Sequence, residues 1–182
     1  MRPIVVFTSQ TGFTRRYAER IAETLGCPLA NLANDRHFDP DGYDTVVFCG
    51  WFHAASLKGA NWAKRAMAAH PDTRFVVLGV GATPMPCDLW PEEGHIAAFR
   101  RSFPEESYPD LAFFYAQGGF DFGSLGLPDK MAMHLYFKMQ RKEAKTDPQA
   151  ADMLRHMEPG YFDAVDMANL DPLFAYLSNC AR

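Results

Sequence analysis

Three hydroxyl side chains and a glycine, Ser9, Thr11, Thr14 and Gly12, fall close together near the amino terminus. They separate the uncharged run Ile4-Val5-Val6-Phe7 from an amphipathic stretch that begins at Arg15. A bare turn needs fewer of them. A loop that closes a strand and opens a helix presents free backbone N–H groups carrying partial positive charge. Hydroxyls beside those groups complete a cradle for an anion, and Gly12 lets the backbone approach it closely. The loop has no Gly-Lys-Ser/Thr to reach β- and γ-phosphates, and no three-glycine dinucleotide fingerprint. A single terminal phosphate is therefore the expected ligand. Capping of the helix by Thr11 or Thr14 is the competing reading.

Further chemistry-bearing residues cluster on other connecting segments. Trp51, Phe52, Trp90, Phe120 and Phe122 fall on presumed loops, where large aromatic side chains are costly to expose without a use. Trp51 follows a strand directly and reads either as a ligand contact or as a cap over the sheet edge. Trp90 reads as packing beneath its own loop, and Trp62 as core. His53 is the one histidine on a presumed ligand loop; it reads as a proton donor or as an exposed loop residue. The six histidines make no close metal-ligating arrangement, so no metal is expected.

The elements that must position these residues follow from periodicity. Residues 3–8 read as a strand buried on both faces. Ala18, Ile21, Ala22 and Leu25 then recur at helical spacing, with Gly26 as a stop. Further strands are expected at 45–50, 74–80 and 111–115, with a weaker one at 28–33. Helices are expected at 61–70 and 92–102. Apolar strands alternating with helices predict an α/β fold: an open parallel sheet with helices on both faces, in three layers. Ligands in such sheets bind at the carboxyl ends of the strands. Those loops are 9–14, 51–60, 81–91 and 117–127.

The last third departs from a minimal α/β domain. Pro128 marks a helix start, and 131–139 is almost continuously apolar, with lysines and arginines flanking it. Core packing with a basic, solvated end is the expectation for this helix. A dimer contact, an apolar substrate surface or a peripheral membrane contact through 131–145 are the alternatives. Residues 146–168 read as weak helix at most, between breakers, and a short helix at 170–177 closes the chain. The whole is expected to be one domain, 1–182, with 128–182 a helix-rich extension packed on it.

The totals exclude some classes. A net charge of −4 argues against nucleic acid, which requires a basic face. Cys27, Cys49, Cys87 and Cys180 make no close pair and read as buried free thiols of a reducing compartment. The opening residues leave no room for a signal peptide and no stretch is long enough to span a bilayer, so the cytoplasm is the expected location.

The pattern Ser9-x-Thr11-Gly12-x-Thr14 after an amino-terminal strand resembles the FMN-phosphate loop of the flavodoxin-like family. The architecture over residues 3–125 is similar to that family. The later part, Gln117-Gly118-Gly119 and the Met-rich basic helix of 130–142, is similar to the flavodoxin-like protoporphyrinogen oxidases. The resemblance implies a flavodoxin-like fold and FMN as cofactor. It implies that Ser9, Gln10, Thr11, Gly12, Phe13 and Thr14 hold the phosphate, and that Trp51, Phe52, His53 and Ala54 pass along the isoalloxazine. It implies that Gly81, Ala82, Thr83 and Pro84 contact the pyrimidine side and that Gly118, Gly119 and Phe120 close the far edge. The stacking tyrosine of electron-carrying flavodoxins is missing from the third loop; Met85 and Trp90 stand there instead, and the strongly acidic surface of those carriers is absent. An FMN-dependent oxidoreductase is the expected function, exchanging electrons with a small-molecule or protein donor and acceptor. The alternatives are a flavodoxin-type electron shuttle and a flavin-free structural or regulatory protein that retains the fold.

Overall fold

The structure, a computed structural model, describes residues 2–53 and 56–180. In chain order the elements are β1 (Pro3–Phe7), α1 (Phe13–Leu25), β2 (Leu29–Asn31), β3 (Thr45–His53), β4 (Ser56–Leu57), α2 (Ala60–Ala69), β5 (Arg74–Gly81) and α3 (Glu92–Ser102). They continue with β6 (Ala112–Gln117), β7 (Gly119–Asp121), α4 (Leu127–Glu143), α5 (Pro148–Met157), β8 (Tyr161–Asp163), a 3-10 turn (Met167–Leu170) and α6 (Asp171–Cys180). The parallel strands pair in the order β2-β1-β3-β5-β6, a doubly wound arrangement that places ligands where the strand order reverses.

Alternation along each strand divides the core between two faces of the sheet. Val5, Phe7, Val47, Cys49, Val76 and Leu78 meet α1 and α6 on one face. Ile4, Val6, Val46, Phe48, Phe75 and Val77 meet α2 and α3 on the other. Apolar residues at both parities are what a parallel sheet covered by helices on both sides requires. This is the expected three-layer α/β fold, with α3 at its expected bounds.

Three segments differ from expectation. The strand expected to end at residue 50 runs on to His53, because the chain folds back and pairs Phe52 with Leu57 and His53 with Ser56. Gly50 permits that return: a Cβ there would lie 2.6 Å from the Lys58 carbonyl oxygen. Residues 146–168, expected to hold little structure, form α5 and β8, with Asp147 capping α5 and Pro148 at its first turn. The 131–139 run is only partly core. Phe137, Met133 and Tyr136 join a third apolar cluster with Phe120, Met153 and Met157, while Met131, Leu135 and Met139 face outward.

The cysteines also differ from expectation. All four are free, but only Cys49 is buried, and burial pushes its thiol pKa well up. Cys27 and Cys180 are half-buried and Cys87 is exposed, since they fall at element ends and on a loop rather than within the sheet.

Candidate functional site

A cavity of about 370 Å³ opens at the carboxyl ends of β1, β3 and β5 and is covered by α4. Its first wall is the loop into α1. Gly12 takes a left-handed φ of 92° and stands at the helix N-cap, where no side chain caps the helix. Ser9 Oγ accepts a hydrogen bond from the Gly12 N–H at 3.1 Å and so shapes the loop itself. Among the described residues the hydroxyls of Thr11 and Thr14 have no hydrogen-bond partner, so neither acts as a cap. Gln10, Thr11, Phe13 and Thr14 line the cavity.

The second wall is the end of β3. Trp51, Phe52 and His53 all line the cavity, and the Trp51 and His53 rings meet edge-on at 5.5 Å between centroids. The Lys58 N–H donates to the Trp51 carbonyl at 2.9 Å, so the return into β4 fixes the backbone that carries these rings. Ala54 lies outside the described residues.

The third wall is shorter than expected. Gly81 and Ala82 line the cavity, but Thr83 and Pro84 stand outside it. Their carbonyls are engaged elsewhere: Tyr115 Oη donates to the Thr83 oxygen at 2.5 Å, and His95 Nε2 lies 3.0 Å from the Pro84 oxygen. Burial pushes the Tyr115 phenol pKa far up, which keeps it a donor. Met85 and Trp90 are not in the wall either. Trp90 Nε1 donates to Asp152 Oδ2 at 3.0 Å and its ring packs in the third apolar cluster, tying this loop to α5. Gly119 and Phe120 line the far side, whereas Gly118 sits behind them. A Cβ on Gly118 would approach Val80 Cγ1 to 2.8 Å, and its N–H donates to the Gly81 carbonyl at 2.7 Å.

The remaining cover comes from the carboxy-terminal extension. Asp129, Ala132, Met133 and Tyr136 of α4, Leu125 before it and Met157 of α5 complete the cavity, together with Val80 and Asp121. Asp129 spans the mouth: its carboxylate accepts from Gln10 Nε2 at 3.0 Å and lies 3.2 Å from His53 Nε2. The Gln10 hydrogen bond first, then His53, hold the Asp129 carboxyl below its usual range. The helical period alone marks 129, 132, 133 and 136 as one face of α4. Nothing local states that this face turns to the amino-terminal loop.

Among the described residues this geometry sets an uncapped helix N-terminus and two unpartnered hydroxyls at one end of a largely apolar, aromatic-rimmed cleft. Such an arrangement has the chemistry to receive an anion beside an apolar group. The flavodoxin-domain family matches the chain over residues 4–147. The chain belongs to that family.

Solved structures similar to this flavodoxin domain include a flavoprotein in complex with FMN from Lactobacillus acidophilus NCFM. It is 13% identical, over 64% of this chain and 91% of that one, with a TM-score of 0.42. A WrbA-like protein from Agrobacterium tumefaciens is 16% identical over 85% of this chain and 98% of that one, TM-score 0.41. An FMN-dependent NADH-azoreductase from Bacillus anthracis is 9% identical over 84% and 99%, TM-score 0.43. Comparison with curated proteins gives no match.

Proposed function

We propose that this flavodoxin domain binds FMN non-covalently in the cavity, with the phosphate at the 9–14 loop, and works as an FMN-dependent oxidoreductase in the cytoplasm. One observation carries the reading: among the described residues the first turn of α1 is left without a side-chain cap, and the Thr11 and Thr14 hydroxyls beside it have no hydrogen-bond partner. A phosphate there receives backbone and hydroxyl hydrogen bonds together. The cavity volume, about 370 Å³, falls within the range of about 300–1,000 Å³ usual for small-molecule sites.

Flavin, when bound, supplies the one- and two-electron chemistry, and the protein supplies position and electrostatics. Trp51 and Phe120 offer aromatic surface on two sides, while Gly81 and Ala82 bring backbone close on a third. Leu125, Met133, Tyr136 and Met157 exclude water on the side under α4. His53, held by Asp129, places an imidazole at the rim that can take or give a proton there. Electrons pass to or from a small molecule or a partner protein. The similarity of 117–119 and 130–142 to the flavodoxin-like protoporphyrinogen oxidases extends the proposal to a haem precursor as one reductant to assay.

Asp129 favours the alternative of a flavin-free regulatory protein, since its carboxylate stands beside the anion loop. The discriminating experiment is an absorption spectrum of the purified chain, followed by titration of stripped protein with FMN and with riboflavin. Flavin bands, with FMN bound far more tightly than riboflavin, support the cofactor and its phosphate loop. Binding of neither compound overturns the proposal. Turnover with a small acceptor, without added partner protein, then separates an enzyme from an electron shuttle.

A further inference from the structure

Helix α4 has two apolar sides, and the cavity and third cluster use only one. Leu127, Met131, Leu135 and Met139 recur every fourth residue along the other side, with 79%, 74%, 61% and 53% of their surface exposed. At a rise of about 1.5 Å per residue they make a stripe about 18 Å long. Lone exposed apolar residues need no explanation, but a continuous row of long Leu and Met side chains marks an interaction surface. Lys138 and Lys142 lie on the same side of the helix, and Lys145 follows just beyond its end. All three are exposed, and none pairs with an acid among the described residues. Of the acids of α4, Asp129 is held by Gln10 and His53 away from this side, and Glu143, one turn beyond Met139, accepts from the neutral Gln140 Nε2 at 3.0 Å, so three lysines stand against one carboxylate. The stripe thus carries unpaired positive charge on a chain whose net charge is −4.

We infer that α4 lies along the surface of an anionic lipid bilayer, with Leu127, Met131, Leu135 and Met139 in the acyl boundary and Lys138, Lys142 and Lys145 at the headgroups. Apolar rows bordered by lysines, along a helix parallel to the surface, are the chemistry of interfacial attachment. Lysine stems lie along apolar surface while their ammonium groups reach the phosphates. A second copy of this chain suits the face less well, because Lys138, Lys142 and Lys145 would meet only the single exposed carboxylate of Glu143, one turn beyond Met139, and the paired faces would stay net positive. Among the described residues no helix is long and apolar enough to cross a membrane, so the contact is peripheral. The inference does not rest on the flavin reading.

Co-sedimentation of the full chain with vesicles tests it. Vesicles of equal parts phosphatidylglycerol and phosphatidylcholine should take the protein down, and phosphatidylcholine alone should not. Added salt should release it. Lys138→Gln with Lys142→Gln should lower the partition coefficient about thirtyfold, from the attraction of about two basic side chains to an anionic surface. Met131→Gln with Leu135→Gln should lower it about tenfold or more. If that pair alters the helix by circular dichroism, Leu127→Gln with Met139→Gln at the stripe's ends replaces it and should lose binding likewise. No binding to anionic vesicles, or binding that both the lysine and the apolar variants leave unchanged, overturns the inference. So does a gel-filtration dimer that the apolar variants dissociate while vesicles bind nothing.

Discussion

Thr11 and Thr14 occupy positions where a hydroxyl normally caps a helix, yet the cap position belongs to Gly12 and neither hydroxyl has a partner among the described residues. Hydrogen bonds to a charged group contribute about 1.5–3 kcal/mol each. Thr11→Val with Thr14→Val should therefore weaken FMN at least a hundredfold and leave riboflavin binding nearly unchanged, as read by flavin fluorescence titration. Equal losses for both ligands would move the phosphate elsewhere. Asp129 acts in the opposite sense, since it sets a negative charge on Gln10, inside the same loop. Asp129→Asn should tighten FMN several-fold and again spare riboflavin. The same substitution carries a pH signature. The Gln10 and His53 contacts lower the Asp129 carboxyl below 3.8. A group lowered on folding stabilises the fold fully above its unfolded value and loses that contribution as pH falls through its folded value. Melting temperatures of parent and Asp129→Asn should thus converge below pH 3.8, and a difference that persists undiminished in acid would contradict the ion-stabilised contact. The hydroxyl loop was legible because its chemistry is local to six consecutive residues. Asp129 was not, because the Gln10 contact spans 119 positions and no local pattern encodes it.

Between elements, Tyr17 joins three parts of the chain at one buried oxygen. Its Oη donates to the Gln117 carbonyl at 2.6 Å and accepts from the Asp166 N–H at 3.0 Å and from Asn169 Nδ2 at 3.2 Å. That ties α1 to the end of β6 and to the 3-10 turn before α6. Tyr17→Phe keeps the ring and strands those partners, which costs about 1–3 kcal/mol. The melting temperature should fall by roughly 2–4 °C for each kcal/mol in a chain of this size. A loss within error would mean that water replaces the phenol there. The sheet elements were legible for a simple reason: β1, β3 and β5 are apolar at both parities, and α1 keeps a clean helical period. Helix α5 was missed although its signals are present. Asp147-Pro148 is an N-cap with proline in the first turn, and Ala150, Met153 and Met157 are buried on one face. Asp and Pro read as breakers only if their order relative to the apolar residues is ignored. Strand β8 pairs with β7, three residues each, and such short antiparallel pairs depend on what packs against them.

Across the molecule, buried apolar residues form two clusters on the faces of the main sheet and a third under α4 and α5. The third contains Phe120, Phe137, Met153 and Met157, with Trp90, Met133 and Tyr136 around it, and it is smaller and closer to solvent than the other two. Among the described residues the polar links from this unit to the rest of the chain include Arg16 with Asp163 at 2.5 Å, Gln149 Nε2 to the Leu89 carbonyl at 2.6 Å, the Ala164 N–H to the Gly118 carbonyl at 2.8 Å, and the Trp90–Asp152 and Asp129 contacts already described. Free energies of local opening follow the apolar contacts that hold each unit closed. Amide hydrogen exchange should therefore show α4 and α5 opening together, well before β1, β3 and β5, which should exchange only through global unfolding. On the proposed reading, FMN between α4 and the strand ends would bridge the two units. Saturating FMN should slow exchange in α4 and α5 more than in α2 and α3, which pack on the sheet face opposite α1 and α6 and contribute no residue to the cavity. Riboflavin at equal occupancy should protect α4 while leaving the first turn of α1 as it is in the free protein. Uniform protection of every element would mean that the small cluster and the sheet already open as one body, and that α4 is a fixed wall of the cavity.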